Sequence, residues 1–97
     1  MKTYTYIFCN SKCECFQTGS SSDIEATIKE FNRLDVLCLK PEFRLHVLIH
    51  LEVYPDKNEA LERMQEIVKL DKQQKEKLIE GSNPNYYELI LGQNITL

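Results

Sequence analysis

The chain has no tryptophan, and only three glycines and three prolines among its 97 residues. That scarcity excludes collagen-like, linker-like and low-complexity chains. No apolar run approaches the roughly 20 residues that cross a bilayer, so no membrane partner is expected. The opening MKTYTYIFCNSK lacks the apolar stretch and small-residue cleavage site of an export signal. A cytoplasmic protein with reduced thiols is the expectation, which makes Asn94-Ile95-Thr96 a chance glycosylation match. Positive charge is also short. Twelve Lys and Arg face fifteen Asp and Glu, for a net charge of −3. That argues against strong nonspecific nucleic-acid binding by the whole surface, while leaving room for a local basic patch. There is no Walker-type glycine loop, no nucleophile elbow and no Cys–His pairing at a diagnostic spacing.

What is present describes one compact domain over residues 1–97. Hydrophobic residues make up 42% and charged residues 28%. A chain of this length buries roughly 60–65% of its unfolded surface. Thr3–Phe8 is rich in β-branched and aromatic residues and reads as a strand. After a turn at Asn10-Ser11-Lys12, Glu14–Thr18 reads as a return strand, which Gly19 ends. The stretch TGSSSDIEATIKEF then opens a helix over 23–33. Ser22 and Glu25 fit a capping box, and Ile24, Thr27, Ile28 and Phe31 share a face.

Leu34–Arg44 is ambiguous, with VLCL a possible short strand. Leu45–Tyr54 alternates, placing Leu45, Val47, Ile49, Leu51 and Val53 on one side. His46, Leu48, His50 and Glu52 take the other. Asn58–Leu70 carries an apolar stripe of Ala60, Leu61, Met64, Ile67 and Val68. Asp71 caps a further helix reaching Glu80, and Gly81-Ser82-Asn83-Pro84 ends it. Tyr86–Leu91 is a final apolar segment without a clear form. The order predicts an α+β fold, a small antiparallel sheet packed against helices.

Three groups invite a functional reading. Cys9, Cys13 and Cys15 are spaced x3 and x1, unlike the paired knuckles of a zinc site, and Cys38 is distant. Small buried or edge cysteines of a hairpin fit better. His46 and His50, on one face of a straight strand, lie about 13 Å apart, too far to share a metal. Lys69, Lys72, Lys75 and Lys77 make KLDKQQKEK locally basic, suited to phosphates or to a solvated helix face.

Taken in order, YTYIF, FQTG, the capped helix, VLIHLEVYPDKNEAL and KEKLIEGSNPNYYEL resemble the GIY-YIG nuclease superfamily, nearest to its small single-domain bacterial branch. The resemblance runs along nearly the whole chain. It implies a three-stranded antiparallel sheet flanked by about three helices and, in the family, divalent-metal phosphodiester cleavage. The family's functional positions carry over unevenly. Its first-motif tyrosine is matched by Tyr6, its second-motif glycine by Gly19 and its late asparagine by Asn83. Its second-motif tyrosine falls on Gln17 and its first-helix arginine on Thr27. The histidine one turn later falls on Phe31, and the metal-binding glutamate on Met64. Sliding the match to Glu62 or Glu66 turns the side chain about 200° around the helix, away from the Met64 stripe.

These replacements have a chemical consequence. Magnesium takes hard oxygen ligands, and a thioether supplies none. Loss of one preorganised charge-stabilising group costs about 2.7–4 kcal/mol of transition-state stabilisation. The resemblance thus implies a GIY-YIG-like domain without cleavage and without a metal or cofactor, acting as a binding module for nucleic acid or protein. Nucleic-acid contacts are expected at Tyr6, Gln17, Lys69, Lys72 and Lys75, with Thr27 and Asn83 also lining the groove. Two alternatives stand beside it. One is an active Mg2+-dependent DNA endonuclease using substitute groups such as Tyr6, His50 and Glu52. The other is a metal or redox module on Cys9, Cys13 and Cys15.

Overall fold

The computed structural model describes residues 2–34 and 45–89, and of 32–34 the backbone alone. A three-stranded antiparallel sheet is built from β1 (Thr3–Cys9), β2 (Phe16–Ser21) and β3 (Val47–Tyr54), in the spatial order β2-β1-β3. The helices are α1 (Ile24–Leu34), α2 (Lys57–Val68) and α3 (Lys72–Ser82). This is the α+β architecture expected from the order of the segments.

The central strand explains why β1 is apolar on both sides. Tyr6 and Phe8 pack with Ile24 of α1 and Leu48, and Ile28 and Phe31 close that layer. Ile7 and Cys9 pack on the other face with Ile67 of α2 and Ile79 of α3. Thr5, fully buried, donates its hydroxyl to the Ala60 carbonyl at 2.8 Å, so α2 approaches the sheet closely at an alanine. The helix starts are fixed by carboxylates. Asp56 accepts from the Glu59 N–H at 2.9 Å, and Asp71 with Gln74 forms a reciprocal capping box.

Several local expectations shift. β2 starts and ends later than Glu14–Thr18, and Gly19 sits inside it, paired with Tyr6. The glycine is there for space. A Cβ at Gly19 would fall 2.5 Å from Tyr6 Cζ and 2.9 Å from Cε1. The tyrosine ring takes the space a side chain would need. α1 is capped by Asp23, which accepts from the Ala26 N–H at 3.1 Å, in place of the Ser22–Glu25 box. Ser21 instead accepts from the Asp23 N–H. In α2, Val68 is 55% exposed and leaves the apolar stripe. The expected strand within 34–44 lies outside the described residues, apart from Leu34 at the end of α1.

The alternation of β3 is broken. Ile7 pairs with His50 while Phe8 pairs with Leu48, so Ile49 is an inserted residue. Such a bulge turns two successive residues toward one side. Leu48 therefore joins the α1 layer and Ile49 the α2–α3 layer, the reverse of a straight strand. The bulge also frees a carbonyl. Asn83, 7% exposed, donates from Nδ2 to the Ile49 carbonyl at 3.0 Å and to the Tyr87 carbonyl at 2.8 Å. Its Oδ1 accepts the Tyr87 N–H at 3.0 Å.

Replacement at the two described glycines outside the masked segments should act in opposite directions. Gly19→Ala is expected to destabilise by about 1–3 kcal/mol, because the Tyr6 ring must move. Gly81→Ala, with nothing within 4 Å of its Cβ, should stabilise by up to about 1 kcal/mol through helix propensity. Urea unfolding of the two variants checks both signs. Asn83→Ala should cost about 2–3 kcal/mol by orphaning the Ile49 carbonyl. Asn83→Asp, which accepts but does not donate, should fail to restore the loss in the same measurement.

Candidate functional site

The residues singled out by the resemblance divide between the two faces of the sheet. Tyr6, Phe8, Gln17 and Gly19 are placed on the α1 side by strand alternation and by the pairing of Phe8 with Gln17 and Tyr6 with Gly19. Thr27 and Phe31 come down on them from α1. Phe31 stacks on Phe8 with centroids 4.1 Å apart and planes at 7°. It meets Tyr6 edge-on at 6.0 Å, and Tyr6 meets Phe8 edge-on at 5.4 Å. Tyr6 is 8% exposed, and burial pushes its phenol up from the ordinary value. Thr27 is turned to local duty. Its hydroxyl donates to Ser21 Oγ at 2.7 Å and lies 3.0 Å from the Asp23 carbonyl. Gln17 is exposed, its amide reaching only the Thr18 carbonyl at 3.5 Å.

Met64 is half-buried on α2, the helix packed against the opposite face. Glu62 is exposed, as is the Glu66 side chain at 68%. Among the described residues no three His, Cys, Asp or Glu side chains are grouped to hold a metal ion.

The strongest polar cluster lies on the α2–α3 face. Glu52 accepts from Arg63 Nε at 2.9 Å and Nη2 at 3.3 Å, from His50 Nε2 at 2.7 Å and from Tyr54 Oη at 2.5 Å. Burial alone would raise the Glu52 carboxyl. The hydrogen bonds from His50, Arg63 and Tyr54, with the Arg63 charge, outweigh it and hold the group at about 2. Burial and the hydrogen bond to Glu52 push Tyr54 to about 12. His50, 4% exposed, also has Ser82 Oγ 3.4 Å from Nδ1. Strand spacing places His50, Glu52 and Tyr54 together. Arg63, eleven residues beyond Glu52, carries no such signal, because nothing in the residue pattern of α2 ties the position beside Met64 to β3.

This cluster sits on the face away from Tyr6, so Tyr6, His50 and Glu52 do not converge on one reacting centre. Lys69 and Lys72 are exposed where α2 passes into α3, and Lys75 is half-buried. These lysines belong to the α2–α3 layer, whereas Tyr6 and Gln17 belong to the α1 side. The expected nucleic-acid contacts thus form two separate surfaces. Cys15 is exposed, while Cys9 is buried and Cys13 half-buried in the hairpin turn. Among the described residues no helix is long and apolar enough to cross a membrane.

The architecture is similar to a solved structure, the solution NMR structure of a UPF0213 protein from Bacillus halodurans. The two superpose with a TM-score of 0.56 at 25% sequence identity, over 89% of this chain and 90% of that one. UPF0213 proteins adopt a GIY-YIG-like fold, so a nuclease-like fold is shared. No family model matches the sequence, and no match was found among curated proteins.

The Glu52 cluster gives a pH dependence of known sign. A carboxyl lowered from 4.5 to about 2 on folding stabilises fully above about pH 4.5, and that stability is lost as pH falls toward 2. Thermal melts should show Glu52→Gln clearly less stable than the wild type at pH 7. The gap should narrow at pH 3, and an unchanged gap would separate the cluster from acid stability.

Proposed function

We propose that this domain keeps a GIY-YIG-like scaffold without phosphodiester cleavage and works as a binding module, with nucleic acid as its partner. The observation carrying this reading is the Phe31 ring packed against both Tyr6 and Phe8. It fills, with an apolar side chain, the place where cleavage needs a polar group. Thr27 beside it is neutral, and its hydroxyl is committed to Ser21 and Asp23. Neither Phe31 nor Thr27 would offer a cation to a charge developing on phosphorus there. Met64, at the position the resemblance gives the metal ligand, is a thioether carried on the opposite face of the sheet, so it supplies no oxygen there.

Exposed Lys69 and Lys72 support a phosphate-contacting surface, and exposed Gln17 supports hydrogen bonding on the α1 side. Contacts of this kind position a backbone without reading sequence, so binding is expected to weaken steeply with salt. A protein partner is the competing outcome. The same cytoplasmic setting and the absence of a required cofactor belong to this proposal.

Two measurements test it. Plasmid and branched DNA incubated with magnesium should be nicked no faster by the wild type than by Tyr6→Phe. Metal-dependent turnover above that control overturns the loss of cleavage. NMR shifts on titration with duplex and single-stranded DNA should move Lys69 and Lys72 at low salt and return at high salt. Spectra unmoved by either DNA would turn the assignment to a protein partner.

A further inference from the structure

The β1–β2 turn brings two thiols together in a way that the binding reading does not use. Cys9 ends β1 with no exposed surface, and Cys13 follows four residues later with φ 54°. A side chain other than glycine adopts that left-handed conformation only where its surroundings hold it. Here the holding group is Asn10, also fully buried. Its Oδ1 accepts the N–H of Glu14 at 2.7 Å and of Cys15 at 2.9 Å. Its carbonyl accepts the Cys13 N–H at 2.9 Å, and its own N–H reaches the Cys15 carbonyl at 3.3 Å. The clamped turn folds Cys13 back until its sulfur lies 2.9 Å from Cys9 Sγ. A disulfide bond is about 2.05 Å long, so bonding the pair requires less than an ångström of approach.

Cys13 is also accessible. It borders a cleft of about 420 Å³ lined by Ser11, Lys12, Glu76, Glu80 and Tyr86. The pair is thus asymmetric, with one thiol sealed in the core and the other half-buried at the edge of the cleft. That asymmetry suits an attacking and a resolving sulfur. A zinc site is the weaker reading, because Cys15 faces solvent and no third ligand joins the pair among the described residues.

We propose that Cys9 and Cys13 form a dithiol site that exchanges with low-molecular-weight disulfides and oxidises to an intramolecular disulfide. The thiolate of Cys13 attacks one sulfur of the external disulfide, forms a mixed disulfide and releases the first thiolate. Cys9 then gives its proton to solvent and attacks the Cys13 sulfur, expelling the second thiolate. The released thiolates take up the two protons. The protein pair loses two electrons and two protons, and the external disulfide becomes two thiols. Burial, followed by the hydrogen bond and charge of Cys13 and the charge of Glu88, pushes the Cys9 thiol up. Cys9 therefore waits protonated. Once Cys13 is held in the mixed disulfide, its thiolate charge no longer opposes ionisation of Cys9.

The test uses the full reduced chain and glutathione disulfide at several ratios to glutathione. After acid quench and alkylation with N-ethylmaleimide, the intact protein should carry two fewer adducts than the reduced control. Its unalkylated mass should be lower by two hydrogens. Trypsin cuts after Lys12, so fragments 3–12 and 13–29 should appear joined, with fragmentation placing the bond at Cys13. Cys15→Ala should leave the bond in place, and Cys13→Ala should leave Cys9 alkylatable under denaturation. A bond from Cys9 to Cys15, a lasting glutathione adduct on Cys13, or full alkylation of both thiols at every ratio would overturn the proposal. These wild-type readouts do not depend on either variant folding.

Discussion

Phe31 and Phe8 meet face to face, and most of what can be said about the α1 side of the sheet follows from that contact. Offset aromatic pairs gain about 0.5–1.5 kcal/mol beyond the area they bury. Here the pair also sets the position of Tyr6, which closes on both rings by its edge. The tyrosine can lie there because Gly19 opposite has no side chain. Three aromatics and one glycine thus form a single packed unit. A polar group at position 31 would break the stack, and a longer one at 27 would have to displace the Ser21 contact. The neutral character of this face is part of the core.

The opposite face has a different logic. Ile49, inserted into β3, sends Leu48 and Ile49 to different layers and lets His50 follow Ile49 toward α2 and α3. The polar run His50, Glu52 and Tyr54 then gathers Arg63 into one hydrogen-bonded group. Its carboxylate is paired and saturated with donors. Such a cluster is costly to leave half-made and serves to fix α2 against β3. The two chemistries of the domain, aromatic and ionic, are kept apart by the thickness of one sheet.

Much of this was legible from residue order. The strand over Thr3–Phe8, the strand ending at Tyr54, the helix from Asn58 and the helix capped by Asp71 follow from residue type, periodicity and one cap. The resemblance implied the three-stranded antiparallel sheet that the structure has. The bulge was not legible, since alternation across Leu45–Val53 looks uninterrupted and only pairing with β1 reveals the extra residue. Gly19 reads as a stop because nothing local shows that a tyrosine from the neighbouring strand needs its space. Ser22 and Asp23 compete as caps, and a one-residue choice between them depends on the exit of β2. At the candidate site, the residue identities at Thr27, Phe31 and Met64 were plain. Their division between two faces, and the pairing of Arg63 with Glu52, required the packed helices.

Residues 84–89 are neither helix nor strand, yet Leu89 donates its N–H to the Leu48 carbonyl at 2.8 Å. Leu48 lies in the strand at the margin of the sheet, where an unpaired backbone invites another molecule to add itself. Leu89 covers that edge at one backbone position, and Asn83, the same asparagine that serves the bulge, holds Tyr87 two residues before it. One side chain thereby helps guard the molecule against edge-to-edge association, a duty unconnected with any ligand.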